Sequence, residues 1–469
     1  MTFVTTTLLL AALAVVPATQ DDWEPCTGAD RPADMECASV EVPLDWAKPN
    51  GRTLTLRIAR LPATGTRTGT VVSIPGGPGG SGIDDLTYYG KSFAHLRDRF
   101  DVVSLEPRNA TTYGRLPQRC FATGPWLTRP DSRDEYARLG VTVRAKAQEC
   151  RKLDPEFFDH LDSASVARDI DAVRAVIGEE RLSFIATSYG GVPAVAYARL
   201  FPARVRAMYL DGAVNQLRDA ATEARVRYRT YETQFGRFVA WCGSSGACGE
   251  DVEGRWRRLV DAADRAPIPV AGERVAYSGF DLQVAAMPHL VGPGPAPEYP
   301  RWRQLAQAIA RAEEGDAGGF AAYVKAGVGS LKPPSFVGMN ATMCADGLRF
   351  RDHREYRAVR ALGEQVSPNL DGMGLWHRLG CTGWPAPVTN PAARLPAGLP
   401  PFLGAGTWTD YDDTADLVRR VPGSATVRYD GHGHGLYLTG NGCVIAHANA
   451  YLTDLRLPPP GTTCRPGGS

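Results

Sequence analysis

Four short stretches carry residue types that could make and break an acyl bond. Ala186-Thr-Ser188-Tyr-Gly190 directly follows an apolar run, Leu182 to Ala186, and directly precedes a helix-like VPAVAYARLF. A serine on a sharp strand-to-helix turn holds its Oγ clear of the sheet, where it can act as a nucleophile. Small residues two before and two after Ser188 let strand and helix approach each other. Pro75-Gly-Gly-Pro-Gly-Gly-Ser-Gly82 follows a second apolar run that ends at Ile74. Its glycines let backbone N–H groups point at a reacting oxygen, and the N–H of Tyr189, next to the serine, would be the second donor. No Gly-Lys-Ser/Thr and no dinucleotide glycine spacing is present, so this loop does not read as a phosphate cradle.

A base and an acid would complete the set. Gly431-His432-Gly433-His434-Gly435 follows the strand-like Ala425–Tyr429, and either histidine can swing its imidazole toward Ser188. His-x-His is also half of a zinc site, but no third ligand stands at suitable spacing, so no metal or organic cofactor is expected. The acid should lie between serine and histidine, after the preceding strand. Gly406-Thr-Trp-Thr-Asp410-Tyr-Asp412-Asp413-Thr414 offers three aspartates there. Asp410, nearest the strand end, is the first choice, with Asp412 and Asp413 as alternatives. The order Ser188, Asp410, His434 is the α/β-hydrolase order and neither the chymotrypsin nor the subtilisin one.

The elements that must position these groups follow from periodicity. Val40, Val42 and Leu44, then Leu54, Leu56 and Ile58, alternate as strands on either side of a turn at Lys48-Pro-Asn-Gly51. Gly69–Ile74, Phe100–Leu105, Leu182–Ala186 and Val205–Leu210 are short apolar strands, and Ala164–Ile177 has helical spacing. Strands alternating with helices predict a mostly parallel sheet. After about Asn215 the rhythm breaks into a largely helical stretch, and strands return at Pro400–Gly404 and Ala425–Tyr429. The expected division is a core in two parts, 20–215 and 396–469, split by a helical cap at 216–395.

The N-terminal run Leu8–Val16 is too short to span a bilayer and is followed by small residues, so 1–19 reads as a secretory signal cut near Ala18 or Thr19. Ten cysteines fall as sequence neighbours without a Cys-x-x-Cys pair, which suggests five local disulfides in an oxidising compartment. The sequence does not fix their connectivity. With 52 basic and 51 acidic residues the formal charge is +1, which gives no electrostatic reason to expect nucleic acid as a partner.

Taken in order, these motifs resemble the secreted tripeptidyl aminopeptidase-like serine hydrolases of actinobacteria, relatives of the prolyl aminopeptidases within the α/β-hydrolase fold. The resemblance spans roughly residues 22–464. It also rests on Val42-Pro-Leu-Asp-Trp46, Leu210-Asp-Gly-Ala213, Trp241-Cys242, Cys344-Ala-Asp346, Cys381-Thr-Gly-Trp-Pro385, Gly442-Cys443-Val444 and the Pro-Gly-Thr-Thr-Cys464 end. It implies His434 as the base, Gly77 as the loop oxyanion donor and local pairing of the cysteines. Three departures stand out: Glu106-Pro-Arg108-Asn109 where Asp-x-Arg-Gly is usual, a shortened acid loop after Asp410, and Ala186 in the elbow.

The expected chemistry is attack by Ser188 on an acyl carbonyl, with His434 as base and acid, Asp410 orienting it, and Gly77 and Tyr189 binding the oxyanion. The expected substrate is a peptide or small acyl compound, most simply a short peptide released from a free N-terminus, otherwise an ester or amide of a lipid or metabolite. An inactive binding scaffold is the third reading. An exopeptidase needs an anchor for the α-amino group, and Glu223, Glu232, Asp281 and Glu298 are candidates. Tyr228, Tyr231, Trp302 and Trp376 either line a pocket or form the core of the cap.

Overall fold

The structure, a computed structural model, describes residues 23–28, 30–113, 115–116, 129–291, 301–320 and 336–466. The N-terminal run, Cys120, Glu298 and the side chain of Trp376 lie outside the described residues. A ten-stranded sheet organises the chain. Its strands are β1 (Glu24–Pro25), β2 (Glu36–Pro43), β3 (Thr53–Leu61), β4 (Gly69–Ile74), β5 (Phe100–Leu105), β6 (Leu182–Thr187), β7 (Val205–Asp211), β10 (Leu403–Gly406), β11 (Ala425–Tyr429) and β12 (Thr463–Cys464). A separate two-stranded ladder, β8 (Ile268–Pro269) and β9 (Ala276–Tyr277), stands apart from it. The order across the large sheet is β1-β2-β3-β5-β4-β6-β7-β10-β11-β12. From β5 onward all pairings are parallel, and β1 to β3 form an antiparallel edge.

The sequence patterns explain this division. β5 (FDVVSL) and β6 (LSFIAT) are buried at every position, as central parallel strands covered on both faces must be. β3 alternates exposed and buried residues, as an antiparallel strand with one wet face does. Helices α1 (Gly82–Tyr89), α2 (Arg133–Arg151), α3 (Pro155–Asp159), α4 (Ser163–Val176) and α5 (Gly191–Leu200) accompany the first strands. Between β7 and β10 come α6 (Ala220–Ser245), α7 (Val252–Arg265), α8 (Gly279–Val291), α9 (Trp302–Glu313), α10 (Phe336–Ala345), α11 (His353–Val366) and α12 (Trp376–Leu379). Then α13 (Tyr411–Val418) and α14 (Gly442–Asp454) close the sheet. α4 starts where Asp162 accepts the Ser165 N–H at 2.9 Å, a cap that periodicity alone places one residue late.

One expectation needs correction. The strand read at Pro400–Gly404 begins at Leu403, because Pro400 and Pro401 have no N–H to give a neighbouring strand. Within the stretch read as largely helical, the β8–β9 hairpin is too short for a periodic signal.

Disulfides join Cys26–Cys37, Cys242–Cys248, Cys344–Cys381 and Cys443–Cys464, all close in sequence. Cys150 is disulfide-bonded as well. The Cys443–Cys464 bridge ties the tail to α14, and Cys464 pairs beside β11 as the last strand. Beneath the sheet, Arg108 and Asp169 form a fully buried, two-pronged ion pair at 2.6 and 2.7 Å. Arg108 also donates to the Pro43 and Leu44 carbonyls, and Trp46 donates to Asp169, so neither charge is left unsatisfied.

Candidate active site

The carboxyl ends of β4, β6, β7, β10 and β11 stand in a row, and the four stretches read as chemical, with the Leu210–Ala213 turn, each sit at one of them. β4 and β6 are in register to their ends, with Ile74 opposite Ala186. This brings the Pro75–Gly82 loop against the turn at Ser188: a carbon added to Gly76 would lie 2.8 Å from Ser188 Cβ. Ser188 itself has φ +58°, a strained backbone for a non-glycine residue and the kind of turn that lifts a side chain off a strand. A side chain at Gly190 would meet the Ile74 and Pro75 carbonyls at 2.6 and 2.7 Å, so the small residue there is a packing requirement. Ala186 is fully buried and its methyl group is accommodated.

Of the three aspartates after β10, Asp410 is the one that meets a histidine. Its Oδ2 lies 2.7 Å from His434 Nδ1, while Oδ1 accepts the Thr407 N–H at 2.6 Å and the Thr407 hydroxyl at 3.0 Å. Asp412 is exposed and offers only its carbonyl, to Arg218; the Asp413 carboxylate binds the Arg218 guanidinium. Burial works to lower the His434 pKa, but the bond to Asp410 and the charges of Asp410 and Asp211 outweigh it, so the imidazole titrates above its ordinary value. His432 faces away from this pair. Its ring stands edge-on to Trp408 and Trp302, and burial with the nearby Arg237 pushes its pKa down to about 4.

The turn after β7 links the parts, a role read in the sequence only as a shared motif. The Val214 N–H donates to the Ser188 carbonyl at 3.1 Å. Gly212, at φ +57°, lies so close to the acid–base pair that an added carbon would sit 2.7 Å from Asp410 Oδ2 and 3.0 Å from His434 Nδ1. The His434 loop in turn crosses the end of β6: a carbon on Gly435 would be 3.1 Å from Thr187 Cγ2. Asp211 lies beneath, fully buried, and accepts the Tyr437 N–H at 2.7 Å. Burial and the Asp410 charge raise its pKa to about 6. The local signal for these roles is an acid and a glycine at the end of an apolar strand.

On the loop side, Gly77 has φ +117° and precedes a cis Pro78. Ser81 caps α1 by accepting the Asp84 N–H at 3.0 Å and donates to Glu106. Glu106, one of the three departures, is buried and also accepts the Ile83 N–H and the Thr112 hydroxyl. The longer acid thus anchors the far end of the glycine-rich loop. Tyr189 turns its side chain inward, where its hydroxyl donates to Asp346 at 2.8 Å.

The candidate amine anchors have other commitments. Glu223 is buried between Arg378 (2.9 Å) and Arg227 (3.1 Å), and these guanidiniums outweigh burial and hold its pKa below normal. Glu232 accepts from Ser367, Asn369 Nδ2 and the Asn369 N–H. Asp281 accepts from Ser278 on Oδ2 alone at the start of α8, and its buried Oδ1 has no hydrogen-bond partner. Tyr228 is fully buried against α11, donating to the Val359 carbonyl, and belongs to the core of the insertion. Tyr231 is half-buried with its hydroxyl on Met287 Sδ, and Trp302 packs on Trp241 and His432. Among the described residues one trio, Cys443, His447 and Cys464, is close enough to share an ion, but both sulfurs are in a disulfide.

A parallel sheet with a strained serine turn, a glycine-rich loop beside it and an Asp–His pair on the next loops defines an α/β hydrolase. A family profile described as the alpha/beta hydrolase fold matches residues 69–248, and one described as TAP-like protein matches residues 368–464. Carboxylesterase B of Mycobacterium tuberculosis is 30% identical over 97% of this chain and 91% of its own length. Serine protease Hip1 of the same organism is 28% identical over 94% and 90%. Tripeptidyl aminopeptidase of Streptomyces lividans is 26% identical over 97% and 89%. The chain belongs to this tripeptidyl aminopeptidase-like family of serine hydrolases.

Proposed function

We propose that Ser188 is the nucleophile, His434 the general base and acid, and Asp410 the group that orients it, with the N–H groups of Gly77 and Tyr189 binding the oxyanion. The bond between Asp410 and His434, beside the strained Ser188 turn, carries this reading. Ser188 Oγ attacks the acyl carbonyl while His434 takes its proton; His434 then protonates the leaving group, and water releases the acyl group from Ser188. The same bond weighs against an inactive scaffold. The segment 216–395 acts as the cap that selects the substrate, and 20–215 with 396–469 as the catalytic core. Export is supported by the disulfides and by the N-terminal sequence; among the described residues no helix is long and apolar enough to cross a membrane.

The proposed substrate is a short peptide at a free N-terminus, supported by the name of the Streptomyces lividans relative, a tripeptidyl aminopeptidase. A second reading, hydrolysis of esters or amides without an ammonium group, is favoured by one observation: Glu223 and Glu232 are committed to other partners, and Asp281, which keeps one carboxylate oxygen on Ser278, is 5% exposed. Matched tripeptide anilides, one free and one acetylated, separate the two. The aminopeptidase reading predicts cleavage of the free form alone. Equal or faster cleavage of the acetylated form would replace it with the second.

A further inference from the structure

A buried carboxylate outside the proposed triad touches the residue next to the nucleophile. Asp346 follows α10, is 1% exposed, and receives four hydrogen bonds. Oδ1 accepts the Ser163 N–H at 2.9 Å and Asn390 Nδ2 at 2.8 Å; Oδ2 accepts the Ser163 hydroxyl at 2.6 Å and the Tyr189 hydroxyl at 2.8 Å. All four donors are neutral. Burial, with the Asp162 charge added, raises the Asp346 pKa to about 7. A carboxylate is nonetheless the group this cage fits, since it alone accepts on both oxygens; an amide would turn its NH2 toward other donors.

The backbone of Asp346 is equally fixed. Its N–H bonds the Thr342 carbonyl, and its own carbonyl accepts Gln216 Nε2, which also reaches the Asn390 carbonyl. The Cys344–Cys381 bridge holds the preceding residues. Tyr189 in turn packs with Val192 against Met343 and Leu348, which flank Asp346, in a small apolar cluster separate from the main core. The ring of Tyr189 is therefore packed against Met343 and Leu348 and held at its tip by Asp346, all three from the 216–395 segment, while its backbone N–H belongs to the turn that holds Ser188.

We infer that Asp346 is a positioning residue: by holding the Tyr189 hydroxyl it fixes the peptide whose N–H binds the oxyanion, and so couples the seating of the cap to the reactivity of Ser188. This rests on the reading of Ser188 as nucleophile. An oxyanion donor works only when aimed at the transition state, so a small rotation of this peptide should slow the chemical step without weakening substrate binding.

The test uses the full enzyme, p-nitrophenyl acetate as substrate, and benzeneboronic acid, which adds to the serine and places an oxygen in the oxyanion position. Sites are counted with a fluorophosphonate. Tyr189→Phe, which removes only the hydroxyl, should lower kcat about tenfold, leave KM within about twofold, and weaken the boronic acid by the same factor as kcat. Asp346→Asn should do likewise, and the double variant should be no slower than the slower single one. Should Asp346→Asn fail to fold, Tyr189→Phe decides alone. Full kcat and full boronic acid affinity in Tyr189→Phe would overturn the inference. If the fluorophosphonate does not label Ser188 in the wild type, the reading of the nucleophile fails, and the inference with it.

Discussion

The corner where the β10 and β11 loops meet and the ion-pair cluster around α6 and α13 both set carboxylates against basic side chains, in opposite arrangements. At the corner, Asp410 divides its two oxygens between Thr407 and His434, and the imidazole keeps its outer edge partly open, with 36% of the side chain exposed. In the cluster, Glu223 lies between Arg378 and Arg227, and Asp413 and Asp416 face Arg218, all with side chains a third exposed or less. Each charge there has a matched opposite, so nothing remains to act on a substrate. Asp410 and Asp413 stand only three residues apart, at the start of the same helix. What separates a chemical group from a structural one is whether a donor or acceptor is left over once the fold has been satisfied.

The largest effect belongs to Asp410→Asn, which should lower kcat by on the order of 10⁴ with little loss of stability, because the imidazole loses its fixed tautomer. The pH profile should move with it. Protonated His434 cannot accept the serine proton, so activity falls as pH drops through a pKa held above the ordinary 6.5 or so. In Asp410→Asn burial still depresses that pKa while its main support is gone, so the acid limb shifts to lower pH.

Glu223→Gln should reverse the pattern. Two buried guanidiniums lose their shared anion, at a cost of about 3–5 kcal/mol in chemical unfolding, while the folded fraction retains its ester kcat within about threefold. Asp413→Asn should be the mildest. Arg218 retains Asp416, so the loss should be about 1–3 kcal/mol, again with kcat nearly unchanged. A loss of kcat as large as that of Asp410→Asn would mean that Asp413 serves the reaction after all.

Much of the site was legible because its groups hang on the ends of strongly apolar strands. Ser188 directly follows the buried LSFIAT, and β11 has the limits its β-branched and aromatic residues predict. Asp410 was distinguishable from its neighbours only by distance from the strand end, and geometry was needed to show that Asp413 is taken up by Arg218. The support of the site was hidden, since it comes from contacts distant in sequence. Asp346 meets Tyr189 across 157 residues and Arg108 meets Asp169 across 61, pairings that no local pattern records. The proline pair that delays β10 obeys a local rule, the lack of an N–H, that outweighs the apolar character of the run.

An acyl-enzyme at Ser188 can be caught by acid-quenching the enzyme during turnover of p-nitrophenyl butyrate and mapping the peptides by mass. A butyryl group is expected on the peptide that holds Ser188, with no adduct and no turnover above background in Ser188→Ala. An adduct on another residue, or activity retained in Ser188→Ala, would contradict it.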